Sequence, residues 1–169
     1  MIHKPQANEY PPFAEGYINA VPGTNVLEIL DESKNKTYSL FSNMSEEKAL
    51  HTYAEGKWTL KQVLGHMIDT ERTFAYRALC FSRNNIELPG FDQDVYVNNT
   101  DFNSRTIKSL ADEFKATRES DLFLYHSFSD EQLLRGGIAS KYPVTVRGLV
   151  YMTAGHELYH LKLIRERYF

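Results

Sequence analysis

The chain has a single cysteine in 169 residues, Cys80, so no internal disulfide can form and a reducing cytoplasm is the expected home. Cys80 falls between Leu79 and Phe81 inside a helical pattern, where a small buried core residue is expected rather than a nucleophile. No stretch approaches the roughly 18 consecutive apolar residues that cross a bilayer, so a membrane is not an expected partner. The opening residues, Met1-Ile2-His3-Lys4-Pro5-Gln6, lack the apolar core of a signal peptide. Positive charge is not in excess either. A net charge of −3 gives no general attraction to nucleic acid or to an anionic surface. Strand-type alternation, internal repeats and low-complexity tracts are all missing. What remains is 42% hydrophobic and 24% charged, the make-up of one ordinary globular domain able to bury a real core.

Helical spacing accounts for most of that core. Pro5, Pro11, Pro12, Pro22 and Gly23 make residues 1–24 read as an extended N-terminal arm. Asn25, with Glu28 three residues on, predicts the start of a first helix that ends near Ser42 or Asn43. A short turn is expected at Ser45–Leu50. Thr59 caps a second helix running to about Ser82, with Leu60, Val63, Leu64, Met67, Phe74 and Leu79 at helical intervals. About twenty residues without periodicity follow, a length that usually signals function or a span along the fold. Ser104 is the expected cap of a third helix. Ser129-Asp130-Glu131-Gln132 reads as a capping box whose turn stops at Gly136-Gly137, and a fourth long helix is expected from Thr145 to about Glu166. The fold class predicted is all-α, a four-helix bundle.

The most informative run is His156-Glu157-Leu158-Tyr159-His160. Residues four apart on a helix differ by about 40° around the axis and about 6 Å along it, so both imidazoles leave one face and can close on one metal ion. Leu149, Met152, His156, His160 and Leu163 form a single stripe, so the pair faces inward. On the second helix His66 lies near Val63 and Phe74 around the axis. Each histidine alone is as well explained by a core imidazole bonded to a backbone carbonyl; an i, i+4 pair with a third partner favours a metal. His66 lies about 10 Å from the start of its helix, and His160 and His156 about 9 and 15 Å from the end of theirs. The three reach one depth only if the second and fourth helices are antiparallel. That requires up-down-down-up topology with a long crossover between helices two and three, where the twenty-residue loop lies.

The string also spells the zinc-protease motif H-E-x-x-H. Metzincin spacing would place the next ligand at Glu166 with glycine at 163, but Leu163 stands there, and a continuing helix turns Glu166 away by roughly 240° from His160. No strand offers itself to an extended peptide. The protease reading is set aside.

Gly56-Lys57-Trp58-Thr59, Leu64-Gly65-His66-Met67-Ile68-Asp69-Thr70-Glu71-Arg72 and Gly155-His156-Glu157-Leu158-Tyr159-His160 together resemble the DinB superfamily, including its YfiT-like members. The resemblance runs from about Leu27 to the C-terminus. It implies an up-down-down-up bundle, a homodimer, and one divalent transition metal held by His66, His156 and His160. Zinc or nickel is the expected ion, and iron or manganese also suits histidine ligands. Asp92, in Phe91-Asp92-Gln93-Asp94, falls where related proteins carry an acidic loop that is a further candidate for reaching the metal.

Three imidazoles leave an ion at least one open position. That position can lower the pKa of a water, giving a hydrolase, or hold a thiol as its nucleophilic thiolate. Relatives include S-transferases and isomerases that use bacillithiol, mycothiol or glutathione. The leading expectation is therefore a metal-dependent S-transferase joining a low-molecular-weight thiol to small electrophilic substrates. A metal-dependent hydrolase of a small substrate is the alternative. The third reading is a non-catalytic, metal-stabilised, stress-related bundle. Glu157 is the candidate general base if water is the nucleophile, against a plain ion-paired role. Asp69 is a candidate partner for the metal-binding face or for an arginine, Trp58 is expected to pack at the mouth of the second helix, and Tyr151 and Tyr159 are candidates for a pocket wall.

Overall fold

The computed structural model describes residues 1–169. In chain order the elements are α1 (Glu15–Ala20), α2 (Val26–Ser42), α3 (Glu46–Ala49), α4 (Leu60–Arg83), β1 (Glu87–Leu88), α5 (Gln93–Asn98), α6 (Ile107–His126), α7 (Asp130–Leu134), β2 (Gly136–Ala139), β3 (Tyr142–Thr145) and α8 (Val146–Arg167), with short 3-10 turns at Ala7–Glu9, Pro12–Ala14 and Phe102–Ser104. The helix starts are chemically specified. Thr59 and Gln62 form a reciprocal capping box on α4, Ser129 and Gln132 another on α7, and the Thr145 hydroxyl accepts from Gly148 N at α8. Two expected caps differ. Thr106, not Ser104, caps α6, because Ser104 is held in a preceding 3-10 turn by the Asp101 carboxylate. Asn25 precedes α2 but its side chain makes no capping bond.

Residue pairings fix the topology. Tyr38 on α2 bonds Asp112 on α6 while Leu30 O meets Arg118, so these helices are antiparallel. Asn103 beside Thr59 and Lys61, with Glu113 beside Arg72, makes α4 and α6 parallel. Tyr168 at the end of α8 bonds Trp58 O at the start of α4, so those two are antiparallel. This is the up-down-down-up four-helix bundle, and residues 84–106 are the crossover that returns along α4. No helix is long and apolar enough to cross a membrane.

The apolar interior falls into two clusters, one around Phe74, Phe81, Leu149 and Tyr151, the other around Phe41, Leu64, Phe114 and Ile164. A polar layer separates them at mid-height of every long helix: Ser33 and Thr37 on α2, Thr70 and Glu71 on α4, Arg118 on α6, and Thr153, His156, Glu157 and His160 on α8, all buried. Leu79, expected within the stripe of α4, is 39% exposed, and Cys80 is half-buried at the edge of the first cluster.

The structure corrects two further expectations. The N-terminal arm is not simply extended: α1 packs on α8, with Ile18 fully buried. A three-stranded sheet is present, β1 parallel to β2 and β2 antiparallel to β3. Its strands are two to four residues long, too short for alternation to register. The hairpin turn is Ser140-Lys141, with φ of 53° and 72°, where Asn-Gly would be the recognisable signal.

Candidate metal centre

His66 projects from the second turn of α4 and His156 and His160 from successive turns of α8, on the faces where the antiparallel helices meet. Close approach is built in on both sides. Gly65 lies under the Phe102 ring, and a Cβ at Gly155 would fall 2.2 Å from Tyr17 O, so α1 seats directly on α8 beside His156. His156 Nε2 stands 3.0 Å from His66 Nε2 and 3.1 Å from His160 Nε2, and all three ligand nitrogens lie within 4.8 Å of one another.

The donor chemistry suits a cation. Burial lowers the pKa of His66 to about 4 and that of His160 to about 3, the latter helped by His66; burial also holds His156 well below its usual value. All three are therefore neutral at pH 7. A neutral Nε2 carries either one proton or one lone pair, so His156 Nε2 can satisfy one of its two neighbours and not both. A shared ion removes the conflict. Nitrogens held about 2.0–2.1 Å from one ion stand roughly 3.0–3.4 Å apart. The outer nitrogens differ in support: His66 Nδ1 is 3.4 Å from Thr70 Oγ1, while His160 Nδ1 is buried without a partner. Thr70, not Asp69, is thus the neighbour of His66. Asp69 is half-buried with its carboxyl pKa raised by burial, and Arg72 pairs with Glu113 instead.

Glu157 is not placed to act as a base at this centre. One carboxylate oxygen accepts from Thr37 and the other from Ser33 and Arg118, on the side where α2 and α6 pack. Arg118 also holds Glu71 through Nε and Nη2. Burial alone would lower the Arg118 pKa, but the Glu157 and Glu71 charges more than offset it and raise it; burial raises that of Glu71. Helical geometry explains the turn-away: residue 157 is about 100° round the axis from 156. Asp92 does not reach the histidines either. It is exposed, and its carboxylate caps α5 through Asp94 N and Val95 N.

Two cavities meet at the histidines. One, of about 190 Å³, has His66 and His156 in its wall with Phe74, Leu149 and Met152; the other, of about 320 Å³, has His160 with Trp58, Tyr159 and Asp94. Tyr17 and Gln93 line both, and so stand where the cavities adjoin. The Trp58 ring lies 5.0 Å from that of His66, so this residue belongs to the site as well as to the helix mouth. Tyr17 meets His156 edge-on at 5.7 Å and Tyr159 at 5.4 Å. Tyr159 lines the second cavity as expected, whereas Tyr151 is buried away from both, donating to Ile2 O. Nothing in the local sequence marks Tyr17 or Gln93 as part of the site. Gly155, next to the metal-spaced pair, was the one signal that another backbone comes close there.

An antiparallel helix pair with three convergent neutral imidazoles, opened to two cavities, defines a candidate metal-binding four-helix bundle with a histidine centre. The DinB superfamily profile matches residues 29–164, and the chain belongs to that superfamily. A protein of Oceanobacillus iheyensis, named provisionally as a metal-dependent hydrolase, is 24% identical over 144 residues, covering 82% of this chain and 81% of its own. The solved structure of YfiT from Bacillus subtilis superposes with a TM-score of 0.74 at 17% identity, covering 94% of this chain and 93% of that one. YfiT is described, again provisionally, as a metal-dependent hydrolase with an unusual four-helix bundle topology.

Proposed function

We propose that this protein is a cytoplasmic, metal-dependent S-transferase that joins a low-molecular-weight thiol to a small electrophile, with His66, His156 and His160 holding one divalent ion, zinc or nickel. The observation that carries this reading is the pair of cavities adjoining at the histidines, one for each of two reactants. When bound, the ion would supply a Lewis-acid position able to hold a thiol as its thiolate at neutral pH. A thiolate so held needs no general base, and the cavity walled by His66 and His156 contains no carboxylate. Burial keeps the imidazoles neutral, each with one unprotonated nitrogen available as a ligand. Tyr17 and Gln93 divide the two reactants and orient them. Tyr76, Leu79 and Phe123, exposed apolar residues on the adjoining helices α4 and α6, are the proposed contact of a homodimer, checked by sedimentation of Phe123→Glu.

Hydrolysis of a small substrate is the second reading, favoured by the names of the Oceanobacillus protein and of YfiT. One assay separates them. Zinc- or nickel-loaded protein is offered 1-chloro-2,4-dinitrobenzene with bacillithiol, mycothiol or glutathione, and separately p-nitrophenyl acetate without thiol. Conjugation that needs both metal and thiol, and is lost in His156→Ala, supports the transferase. Metal-dependent ester cleavage with no conjugation would replace it by the hydrolase.

A further inference from the structure

Four cationic side chains are buried in the bundle: Lys34, Lys61, Arg77 and Arg118. Three have carboxylate partners, Lys34 with Asp31, Lys61 with Glu46, and Arg118 with Glu71 and Glu157. Arg77, only 7% exposed, has none. Its Nη2 donates to Pro89 O at 2.9 Å and to Ser140 Oγ at 3.2 Å, both neutral, and Nε and Nη1 bond to nothing. Arg77 and Ser140 form one end of the cavity whose other end carries His66 and His156, and no acidic residue lines the space between. The wall there is apolar, with Phe74, Leu149 and Met152.

A guanidinium stays charged, and the unbonded N–H groups of Arg77 are open to the cavity rather than sealed from solvent, so an anion in that cavity can meet them. Burial lowers the Arg77 pKa, and the Tyr96 hydroxyl acts against that shift without cancelling it. Ser140 is held in a left-handed backbone conformation, φ 53°, which residues other than glycine adopt only at a cost. That conformation sits at the turn that brings its hydroxyl to Arg77. Along α4, Arg77 is eleven residues from His66, about 20° from eclipsed and about 16 Å further along the axis.

We propose that Arg77 and Ser140 bind the anionic end of the substrate, so that the electrophile is an elongated molecule with an apolar body and a terminal carboxylate or equivalent anion. This assignment rests on the catalytic reading of the same site. The anion docks on the free N–H groups of Arg77, the body lies along Phe74 and Met152, and the opposite end reaches the histidines. A bare inorganic anion cannot span both ends.

The test is calorimetric titration of the full chain with 4-phenylbutyrate and with its neutral amide, in zinc-loaded and chelator-stripped protein. The carboxylate is expected to bind at least tenfold more tightly than the amide in both forms. Arg77→Met should remove that preference by weakening the carboxylate at least tenfold more than the amide, and continued binding of the amide reports that the cavity is intact. Arg77→Lys keeps a charge on a different geometry and should retain part of the preference, and it stands as the test if Arg77→Met does not fold. Equal binding of acid and amide by the wild type, no binding of either, or a preference that survives Arg77→Met would overturn the proposal. A preference that disappears on stripping but survives Arg77→Met would assign the anion to the ion instead, overturning this proposal and supporting the histidine centre. An Arg77-dependent preference in a protein without thiol turnover would keep the anion site and sink the transferase.

Discussion

Replacing Glu157 by alanine separates its structural role from the catalytic role that its position beside His156 suggests. In the wild type its carboxylate accepts from Ser33, Thr37 and Arg118 and is 2% exposed. Truncation leaves Glu71 as the one carboxylate on Arg118 and strands the Thr37 hydroxyl and one guanidinium N–H away from water, while Ser33 keeps Leu30 O and Arg118 as partners. Breaking a buried ion pair by deleting one partner costs about 3–5 kcal/mol. For a chain of this size that lowers the melting temperature by on the order of 10 °C. Urea unfolding of Glu157→Ala, Arg118→Met and the double variant forms a cycle whose coupling term isolates the pair. A coupling above about 1 kcal/mol is expected, since contacting groups in one network fail to add. A single-variant loss below about 1 kcal/mol, in the range of an exposed pair, would refute the reasoning. So would a full melting temperature combined with abolished turnover, the pattern of a base at the site.

Two further outcomes follow from the same geometry. Metal-free protein should lose stability as the pH falls from about 6.5 toward 4: the folded histidines stay neutral to about 4 and about 3 while the unfolded ones take up protons near 6.5, so the unfolded state binds more protons in that window. Each histidine contributes a slope of up to about 1.4 kcal/mol per pH unit, while Asp121, its pKa raised by burial to about 7, contributes the opposite slope. The histidine part is read from urea midpoints as the slope lost in His160→Gln, and an unchanged slope over about pH 4.5–6.5 would contradict it. Gly155→Ala should destabilise despite alanine's better helix propensity, because the added Cβ would lie 2.2 Å from the Tyr17 carbonyl; α1 must lift, and the melting temperature and the Tyr17 environment should change together.

How much of this was legible in the sequence depended on how local each signal was. The His156/His160 pair is set by one helical turn, and the depth argument from His66 needs only rise per residue, so the cluster and the antiparallel packing of α4 and α8 are legible in the sequence alone. Glu157 resembles a base in the sequence because its partner, Arg118, lies 39 residues away on α6 and nothing local announces it. Asp92 was drawn to the metal by an acidic loop pattern, but a carboxylate two and three residues before free backbone N–H groups is held as a cap. Tyr17 stayed hidden because the prolines around it speak for an extended arm, while α1 owes its place to burial of Ile18 and to the missing Cβ at Gly155, a long-range fit. The small sheet escaped for a similar reason, since β1 pairs with β2 across a long gap in sequence, Glu87 opposite Ile138.

Elemental mass spectrometry of tag-free protein purified without chelator tests the histidine centre most directly. About one equivalent of a transition metal per chain is expected, falling to background in His66→Ala and in the His156→Ala, His160→Ala double variant. Less than about a tenth of an equivalent in the wild type, with no uptake on titration, or undiminished metal in the double variant, would contradict the account.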